Sequence, residues 1–471
     1  MYKFKALING KLYDNNKDLQ ITNPVDNSVA GVVPSLTKQE IDQAFLSAKQ
    51  VQKNWENTDL EARIAIINKW KELIDQNKEQ LANIMMSEIA KSYKDCLTEV
   101  IRSIEYIDQT FIEARNLKTL IIDASKYGAK NKIGTFIRVA KGVGVAISPF
   151  NYPINLSLAK IIPALVTGNS IVFKPATQGS LIGARLGELA YQAGLPKGVL
   201  NVVTGRGREI GDLLITNPLI DFISFTGSVE VGKRLLEISS TKDVVLELGG
   251  KDPALVLDTD NLEKYASEIV SGAFSYSGQR CTAIKRVLTT NQIADQLVEL
   301  LKQKIDKLTV GLPQNNADIT CLIDNKSADF VWQLINDAKT KGAKIVTGDH
   351  RDNNLIYPTL VDYVTTDMKL AWEEPFGPVL PIIRVDSVEQ MIEIANQSKF
   401  GLQASIYSSN LEKALAIAKQ LEVGTVNING KSQRGPDVFP FLGVKNSGFG
   451  VQGIIDTLLF STRYKGIVIN N

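Results

Sequence analysis

The stretch 143–226 reads V-G-V-A-I-S at 143–148, S-I-V-F-K-P at 170–175, V-L-N-V-V-T at 199–204 and D-F-I-S-F-T at 221–226, with longer segments between these short apolar runs. Two of the intervening segments, N-L-S-L-A-K-I-I-P-A-L and L-I-G-A-R-L-G-E-L-A-Y-Q-A-G, have helical character, and the second ends at Gly194, a residue type that commonly terminates helices. Strands that alternate with helices are typical of α/β proteins. The stretch therefore predicts a parallel, doubly wound sheet.

The pattern changes on either side of this stretch. Residues 38–116 show helical spacing of apolar side chains, and a second α/β series runs from about 250 to 430. Residues 119–140 and 459–469 are instead extended, with little helical periodicity. We expect these two isolated extended segments to pair with each other or with another subunit, because unpaired strand edges promote aggregation.

The composition is that of a large globular protein. The chain has 471 residues, of which 44% are hydrophobic and 22% are charged, so two or three domains are expected. Its 53 basic and 51 acidic residues leave a formal charge of only +2, which provides no overall positive field for nucleic acid or an anionic membrane. The N-terminal sequence M-Y-K-F-K-A-L-I-N-G-K lacks the apolar core of a signal peptide, and no apolar run approaches the ~18 residues of a spanning helix.

Three cysteines and a single histidine restrict the chemistry. Cys96, Cys281 and Cys321 are an odd and sparse set, which favours a reducing cytosol over a disulfide framework. No two of them are close enough in sequence to suggest a zinc motif, so no metal site is expected. His350 lies in G-D-H-R-D-N, which is typical of a solvated turn. A Ser-His-Asp or Cys-His mechanism is therefore not expected.

The segment S-G-Q-R-C-T at 277–282 contains the candidate nucleophile. Apolar residues at helical spacing precede it, Gly278 is expected to end that helix, and Cys281 is then expected on a loop. The adjacent Arg280 would favour the thiolate, which is the reactive form of cysteine. The alternative is a buried free cysteine that acts as a small hydrophobic residue, and Cys96 and Cys321 are interpreted in that way.

Two further segments contain candidate partners of such a thiol. In L-E-L-G-G-K-D-P at 246–253, Glu247 stands at the expected end of a strand, where ligands bind in α/β sheets, so its carboxylate could serve as a general base. In S-P-F-N-Y-P at 148–153, Asn151 follows a strand and could donate its amide to a developing oxyanion. From these residues alone, a structural ion pair for Glu247 and a turn position for Asn151 remain open.

Glycine turns after two strands predict a phosphate-binding site. T-G-R-G-R-E-I-G at 204–211 and F-T-G-S-V-E-V-G-K at 225–233 both open helices, whose N-terminal amides bind phosphate, although neither contains the full Gly-x-Gly-x-x-Gly pattern. K-P-A-T at 174–177 ends another expected strand. Sites that prefer NAD place an acidic residue against the ribose 2′-hydroxyl. Here Lys174 is cationic and Thr177 is neutral, which favours NADP, with NAD as the weaker alternative.

Six motifs together resemble the aldehyde dehydrogenase superfamily. They are P-F-N-Y-P, K-P-A-T, F-T-G-S-x-x-x-G, E-L-G-G-K, G-Q-R-C and E-E-P-F-G-P, and they occur in the order of that family over nearly the whole chain. The resemblance implies an α/β fold with a Rossmann-like cofactor-binding domain at 1–118 and 138–247, a catalytic domain at 248–438 and a small β oligomerisation extension at 119–137 and 439–471. In that family the extension crosses to a partner subunit and usually gives a homotetramer, a dimer of dimers.

The resemblance also implies roles for individual residues. Cys281 is the nucleophile, Asn151 and the backbone N–H of Cys281 form the oxyanion hole, and Glu247 activates water for deacylation of a thioester. Glu374 and Phe376 position the nicotinamide ribose. The residues expected to contact the cofactor are Ser148, Pro149, Lys174, Thr177, Gly207, Gly211, Thr226, Gly227, Ser228, Leu248, Glu374 and Phe376.

A narrower resemblance is visible in two segments. R-G-P-D-V-F-P-F-L-G-V-K-N-S-G-F-G-V-Q-G at 434–453 and S-G-Q-R-C-T-A-I-K-R-V-L at 277–288 look like those of non-phosphorylating glyceraldehyde-3-phosphate dehydrogenases. This resemblance implies cytoplasmic, NADP-dependent oxidation of D-glyceraldehyde 3-phosphate to 3-phosphoglycerate, without inorganic phosphate. The positions implied to hold the substrate phosphate are Arg102, Tyr152, Arg280 and Arg434.

The arginines themselves support a phosphate clamp to different extents. Arginine recognises phosphate oxygens bidentately, and Arg280 adjoins the nucleophile, within reach of a short substrate. Arg102 lies on an expected helix with Glu99 and Glu105, where a solvated ion pair is the ordinary alternative. The remaining alternatives are an aldehyde dehydrogenase for succinate semialdehyde or lactaldehyde, since a carboxylate can also use arginines, and a non-catalytic dinucleotide-binding protein.

Overall fold

The computed structural model describes residues 1–129 and 131–470 of the chain. Lys130 and Asn471, which fall in the expected extension, lie outside the described residues. Within these ranges the helices are α1 (Lys38–Asn57), α2 (Leu60–Gln76), α3 (Lys78–Ile89), α4 (Tyr93–Arg115), α5 (Asn155–Val166), α6 (Ser180–Gln192), α7 (Gly207–Ile215), α8 (Val229–Ile238), α9 (Leu262–Phe274), α10 (Asn291–Ile305), α11 (Asn325–Thr340), α12 (Val388–Asn396), α13 (Leu411–Ala418) and α14 (Ile454–Phe460). None of these helices is long and apolar enough to cross a membrane.

The strands form three larger sheets, one small three-stranded sheet and two two-stranded pairs. Over the same described ranges they are β1 (Tyr2–Lys3), β2 (Ala6–Ile8), β3 (Lys11–Tyr13), β4 (Asp18–Thr22), β5 (Val29–Pro34), β6 (Leu120–Asp123), β7 (Lys132–Ala140), β8 (Val143–Ile147), β9 (Ser170–Lys174), β10 (Leu200–Val202), β11 (Phe222–Thr226), β12 (Asp243–Glu247), β13 (Asp252–Val256), β14 (Ile284–Thr290), β15 (Lys344–Thr347), β16 (Arg351–Asp352), β17 (Leu355–Ile356), β18 (Thr359–Asp362), β19 (Val379–Val385), β20 (Phe400–Gly401), β21 (Gln403–Tyr407), β22 (Thr425–Ile428), β23 (Val444–Lys445), β24 (Gly448–Phe449) and β25 (Thr462–Asn470). The small three-stranded sheet joins β1, β5 and β4 near the N-terminus, and the two pairs are β16-β17 and β20-β23.

The region predicted to be helical, 38–116, forms α1 to α4. Helix α1 begins at a capping box, in which the Thr37 hydroxyl accepts from the backbone N–H of Glu40 and the Glu40 carboxylate accepts from the backbone N–H of Thr37. Trp70 of α2 is fully buried, and its indole N–H donates to the Leu186 carbonyl oxygen of α6 at 3.1 Å. Helices α2 to α4 therefore pack against α5 and α6.

The first large sheet is built around the stretch 143–226. Its strand order is β24-β12-β11-β8-β9-β10-β2-β3, and β8 to β12 run parallel to one another. Helices α5 and α6 cover one face, and α7, α8 and α1 cover the other. Because these strands are buried on both faces, their sequences are nearly continuous apolar runs. The predicted parallel, doubly wound sheet is confirmed.

The order of these strands determines where a ligand site forms. The direction of strand addition reverses between β8 and β11, and in such sheets ligands bind beside the reversal, at the carboxyl ends of the strands. Ser148 follows β8, and Lys174, Thr226 and Glu247 are the last residues of β9, β11 and β12. Thr226 and Glu247 are direct neighbours in the strand register. Four residues predicted for the site therefore meet at one edge of the sheet.

The second α/β series, predicted at about 250 to 430, forms a separate sheet over 252–428. Its strand order is β15-β18-β19-β14-β13-β21-β22, and only β15 pairs antiparallel. Helices α9 and α10 cover one face, and α11 to α13 cover the other. Cys281 lies in the connection between α9 and β14. His350 lies on an exposed turn before β16, as its sequence context predicts.

The third large sheet joins the two isolated extended segments. Strand β25 pairs antiparallel with β7, from Thr462 opposite Ala140 to Asn470 opposite Lys132, and β6 pairs with the other side of β7. Of the two pairings that the sequence left open, the one between these segments is therefore formed. The last segment is extended from Thr462 rather than from 459, because residues 459 and 460 still belong to α14.

The observed contacts also bear on the expected domain boundaries. Within 439–471, β24 pairs with β12 of the first sheet, and α14 packs on α4 and α5 with Ile454 and Leu458 fully buried. Only β25 contributes to the third sheet. Strand β7 continues to Ala140, past the expected boundary at 137. We therefore propose that the oligomerisation extension comprises 120–140 and 462–470, and that 448–460 belongs with the cofactor-binding part.

Candidate active site

A cavity of about 1130 Å³ lies at the carboxyl edge of the first sheet and reaches the segment that contains Cys281. Cys281 and Asn151 line it. So does every residue predicted to contact the cofactor, namely Ser148, Pro149, Lys174, Thr177, Gly207, Gly211, Thr226, Gly227, Ser228, Leu248, Glu374 and Phe376. A concave site of this size at a strand-order reversal is typical of cofactor binding. The individual contacts of these side chains with a cofactor stay predictions.

Cys281 lies on an irregular segment. Helix α9 ends at Phe274, so the prediction that Gly278 ends it is wrong. A 3₁₀ turn follows, in which Tyr276 and Ser277 have left-handed backbone conformations with φ of 52° and 51°. Gly278 has a φ of 70°, and a side chain there would overlap the backbone of Gly377. Gly278 is therefore required by this turn and by the neighbouring backbone.

The thiol of Cys281 faces Glu247, with Sγ and Oε1 3.7 Å apart. Burial, followed by the charge of Glu247, raises the pKa of the Cys281 thiol well above its ordinary value. The cation that opposes this shift is Lys285, whose amine donates to the Cys281 carbonyl oxygen. The prediction that Arg280 favours the thiolate is wrong for this structure, because its guanidinium donates to the Gly272 carbonyl oxygen instead.

Asn151 is held beside the nucleophile segment by buried side chains. Its side-chain amide donates to the Gln279 carbonyl oxygen at 2.9 Å, which uses one of its two N–H groups. Its backbone carbonyl accepts from Lys91 at 3.3 Å, and Lys91 pairs with Glu99 at 2.7 Å. Glu99 in turn accepts from the backbone N–H of Ile154 at 2.9 Å. This network, which the sequence did not reveal, fixes the loop of the predicted oxyanion donor.

Glu247 is the centre of a second buried network. Its Oε2 accepts from Arg434 Nη1 at 2.7 Å and from the Thr226 hydroxyl at 3.2 Å. Lys160 donates to the same hydroxyl at 2.6 Å, and burial lowers the pKa of Lys160 to about 8. Sequence reasoning missed Lys160, although a charged residue in the otherwise uncharged, fully buried helix α5 is a signal for a specific polar contact.

Glu374 and Lys285 connect the cavity to the nucleophile segment. Glu374 lines the cavity, and its Oε1 accepts from Lys285 Nζ at 3.1 Å and from the backbone N–H of Gly250 at 3.0 Å. A side chain at Gly249 would overlap the Glu374 carboxylate and would have to displace it. Lys285 was also missed, and its signal is a cation inside the otherwise buried strand β14.

Two arginines of the predicted clamp join the Glu247 network. The side chain of Arg434 is only 10% exposed. Burial lowers the pKa of its guanidinium, but the surrounding acidic groups, Glu247 first and Asp437 among them, together outweigh burial and raise it overall. Arg102 pairs with Asp437 at 3.0 Å and donates to the Arg434 carbonyl oxygen at 2.8 Å. The alternative in which Arg102 pairs with carboxylates of its own helix is therefore wrong, because Asp437 takes their place.

The other two clamp residues, Tyr152 and Arg280, point to different partners in the present arrangement. The Tyr152 ring lies over the Lys91 amine, 3.8 Å from the ring centroid, and packs edge-on against Tyr276. Arg280 is buried, and its Nε has no hydrogen-bond partner in the part of the chain that the structure describes. A buried donor without a partner, beside the nucleophile, is available to an incoming anion.

The far end of the cavity suits an additional phosphate. Lys174 is buried, and its amine donates to the Pro175 carbonyl oxygen at 3.0 Å. Burial lowers the pKa of Lys174 to about 8, and no carboxylate among residues 1–129 and 131–470 pairs with it. Thr177, Arg208 and Ser228 line the same cavity. Because an anionic ligand compensates a buried cation, the site fits the 2′-phosphate of NADP.

Comparisons with known proteins agree with this geometry. The aldehyde dehydrogenase family matches residues 12–467. An NADP-dependent glyceraldehyde-3-phosphate dehydrogenase of Streptococcus equinus is 46% identical over 470 residues, which cover 99% of each chain. A lactaldehyde dehydrogenase of Methanococcus aeolicus is 35% identical, over 98% of this chain and 99% of that protein.

A solved structure matches the whole fold. It is the crystal structure of NADP-dependent glyceraldehyde-3-phosphate dehydrogenase from Bacillus halodurans C-125 complexed with NADP, with a TM-score of 0.98, 48% identity and 100% of both chains covered. The fold and the family resemblance inferred from six short motifs are thereby confirmed. This chain belongs to the aldehyde dehydrogenase family.

Proposed function

We propose that this protein oxidises D-glyceraldehyde 3-phosphate to 3-phosphoglycerate with NADP, through a thioester on Cys281 that water hydrolyses without inorganic phosphate. The observation that carries the proposal is the contact of Arg434 with Glu247, whose carboxylate lies 3.7 Å from the Cys281 thiol. A buried guanidinium so close to the reacting sulfur favours a substrate whose anionic group is a few atoms from its aldehyde carbon. The names of the relatives from Streptococcus equinus and Bacillus halodurans support the same substrate and cofactor.

Acylation requires the Cys281 sulfur to lose its proton and bond to the aldehyde carbon. That proton passes to solvent water, so Glu247, 3.7 Å from the sulfur, remains a carboxylate for deacylation. The aldehyde oxygen becomes an alkoxide, which the Asn151 amide and the backbone N–H of Cys281 stabilise by hydrogen bonds. NADP, when bound, supplies the hydride acceptor that turns this adduct into a thioester.

Deacylation uses the same carboxylate. Water attacks the thioester carbon while Glu247 takes a proton from it, the C–S bond breaks, and Cys281 leaves as a thiolate. The Thr226 hydroxyl holds Glu247 Oε2 at 3.2 Å, and Lys160 holds that hydroxyl in turn. The proposed mechanism needs no histidine, which agrees with the remote position of His350.

Substrate and phosphate dependence test the proposal. We expect NADPH formation from D-glyceraldehyde 3-phosphate at the same rate with and without inorganic phosphate, because water is the acyl acceptor. The measurement is NADPH absorbance together with identification of the product. An acyl phosphate as product, or turnover that needs added phosphate, would contradict the proposal.

Other aldehydes provide the comparison for specificity. Succinate semialdehyde and lactaldehyde are the relevant competitors, the second because of the Methanococcus aeolicus relative. Each charged hydrogen bond to the phosphate is worth roughly 1.5–3 kcal/mol, so we expect kcat/KM to be at least about tenfold higher for the phosphorylated aldehyde. Equal or higher kcat/KM for a competitor would assign the enzyme to that substrate instead.

Lys174 is proposed to select NADP over NAD. We expect Lys174→Ala to raise KM for NADP roughly ten- to a hundredfold, because one charged contact with the 2′-phosphate is lost. KM for NAD should change far less, since NAD has no such phosphate. The measurement is steady-state kinetics with each cofactor at saturating aldehyde. An equal increase in KM for both cofactors would show that Lys174 does not bind the 2′-phosphate.

The third large sheet is proposed to assemble the subunits into a homotetramer, a dimer of dimers. Its surface exposes apolar side chains, with Ile121 67%, Val468 55% and Ile469 52% accessible. Contiguous exposed apolar side chains on a sheet mark an interaction surface. Light scattering should give a mass near four subunits, and Ile121→Lys should shift it to smaller species. A stable monomer would contradict this proposal.

We propose that the protein works in the cytoplasm. Cys281 can act as a nucleophile only as a free thiol, and the three cysteines Cys96, Cys281 and Cys321 are unpaired. A compartment that keeps thiols reduced preserves this state.

A further inference from the structure

Two groups of the proposed reaction compete for the guanidinium of Arg434: the substrate phosphate and the Glu247 carboxylate. We propose that the ion pair between Arg434 and Glu247 restrains the catalytic carboxylate until a substrate phosphate takes over the guanidinium. Glu247 then becomes free to activate water only when a phosphorylated acyl group occupies the site. This inference rests on the proposed function, since it assumes that Arg434 binds the substrate phosphate.

The guanidinium of Arg434 is already engaged on all three nitrogens. Nη1 lies 2.7 Å from Glu247 Oε2, Nη2 lies 3.3 Å from Gln452 Oε1, and Nε lies 3.7 Å from Asp437 Oδ1. The guanidinium also packs over the Phe441 ring, 4.9 Å from its centroid. A phosphate that binds Nη1 of this guanidinium therefore has to displace the Glu247 carboxylate.

The charges of the cluster indicate why a bound phosphate displaces Glu247 from Arg434. Before substrate binds, the guanidinium groups of Arg102 and Arg434 face two carboxylates, those of Glu247 and Asp437. A phosphate dianion brings this cluster to two negative charges in excess. Like charges repel strongly in a poorly hydrated site, so one carboxylate is expected to leave its arginine. Asp437 is held by Arg102 as well, at 3.0 Å, whereas Glu247 has Arg434 as its cationic partner.

The released carboxylate is the better placed base. Arg434 occupies a lone pair of Glu247 Oε2 and fixes the orientation of the carboxylate, so the paired group is less free to take a proton from water. Once released, Glu247 keeps the Thr226 hydroxyl at Oε2, while Oε1 remains on the Cys281 side. Water then gives its proton to Glu247, its oxygen bonds to the thioester carbon, and the C–S bond breaks to return the Cys281 thiolate. No electron acceptor is needed in this step.

The first test uses the unaltered enzyme with unphosphorylated D-glyceraldehyde and NADP. We expect a burst of about one NADPH per active site, then slow turnover, with the acyl adduct on Cys281 detected by mass spectrometry. Phosphite dianion, added as a detached stand-in for the substrate phosphate, should raise the deacylation rate constant roughly tenfold. The absence of a burst, or a rate that phosphite leaves unchanged or lowers, would overturn the proposal.

The second test compares Arg434→Gln with Arg102→Gln, since both arginines belong to the proposed clamp but only Arg434 bonds Glu247. We expect Arg434→Gln to deacylate D-glyceraldehyde about tenfold faster than the unaltered enzyme, without a response to phosphite. Arg102→Gln should not show this acceleration, because it leaves the contact between Arg434 and Glu247 in place. Equal rates for the two variants would overturn the proposal.

The kinetics with D-glyceraldehyde 3-phosphate separate this proposal from the proposed function. Both variants should raise KM for that substrate if the clamp binds its phosphate. If neither variant changes that KM, these arginines do not bind the substrate phosphate. The proposed restraint of Glu247 is then rejected as well, because it assumes that binding. If KM rises while the acyl adduct of D-glyceraldehyde persists in Arg434→Gln, the proposed phosphate binding by the arginines is supported. Only the proposed restraint of Glu247 by Arg434 is then rejected.

Discussion

Cys281→Ser is expected to lower kcat by at least ~10⁴-fold, because the alcohol is a far weaker nucleophile than the thiol and no other side chain in the cavity replaces it. Cys281 borders the cofactor cavity, with its sulfur 3.7 Å from Glu247 Oε1. The measurement is NADPH formation with D-glyceraldehyde 3-phosphate at saturating NADP. Cofactor binding, followed by fluorescence titration, should be retained, because serine preserves the shape of the site.

Cys321→Ser is the matched control for this change. Cys321 is a buried free cysteine that does not line the cavity. We expect this variant to keep kcat within about twofold and to lose roughly 1–3 kcal/mol of stability, since a polar hydroxyl replaces a buried thiol. Retained turnover in Cys281→Ser would exclude Cys281 as the nucleophile. Normal cofactor binding without any acyl adduct would instead favour a non-catalytic dinucleotide-binding protein.

Glu247→Gln is expected to allow one turnover and block the following ones. Glutamine keeps an oxygen for the Thr226 hydroxyl but cannot accept a proton from water, so hydrolysis of the thioester should slow by roughly 10²–10⁴-fold. The measurement is rapid mixing with D-glyceraldehyde 3-phosphate. It should give a burst of about one NADPH per site, with the acyl group trapped on Cys281.

Asp437→Asn separates the role of Glu247 as a base from its charge in the arginine cluster. Asp437 pairs with Arg102 at 3.0 Å and lies 3.7 Å from Arg434, but it is not the carboxylate that faces the thiol. We expect this variant to alter KM for the substrate without accumulation of the acyl adduct. Accumulation in both variants would mean that the cluster as a whole, and not Glu247, limits deacylation.

The positions of several site residues could be predicted from the sequence because they depend on strand ends. Short apolar runs that alternate with helices specify a parallel sheet, and the residue at the end of each run must then lie at its carboxyl edge. Lys174, Thr226 and Glu247 are found there. Cys281 could be selected because the G-Q-R-C motif and the single remote histidine left few other nucleophiles.

The orientation of the long side chains could not be predicted in the same way. Arg280 is adjacent to Cys281 in sequence, yet its guanidinium turns to the Gly272 carbonyl oxygen, and Lys285 becomes the cation next to the nucleophile. A side chain with several rotatable bonds selects its direction by the partners within its reach, and those partners come from other segments. The helix end at Phe274 escaped prediction for a similar reason, since the turn after it fits the backbone of Gly377.

The sequence by itself determined the α/β fold and the family, and it predicted the thiol, the base and the oxyanion donor. These follow from local periodicity and from motifs in a given order. Only the tertiary structure decided that Arg434 bonds Glu247, that Lys160 supports it through Thr226, and that β25 pairs with β7. Arg434 and Glu247 are 187 residues apart, and no local pattern encodes a contact over that distance. It forms because folding brings two buried opposite charges together, where each would be costly without the other.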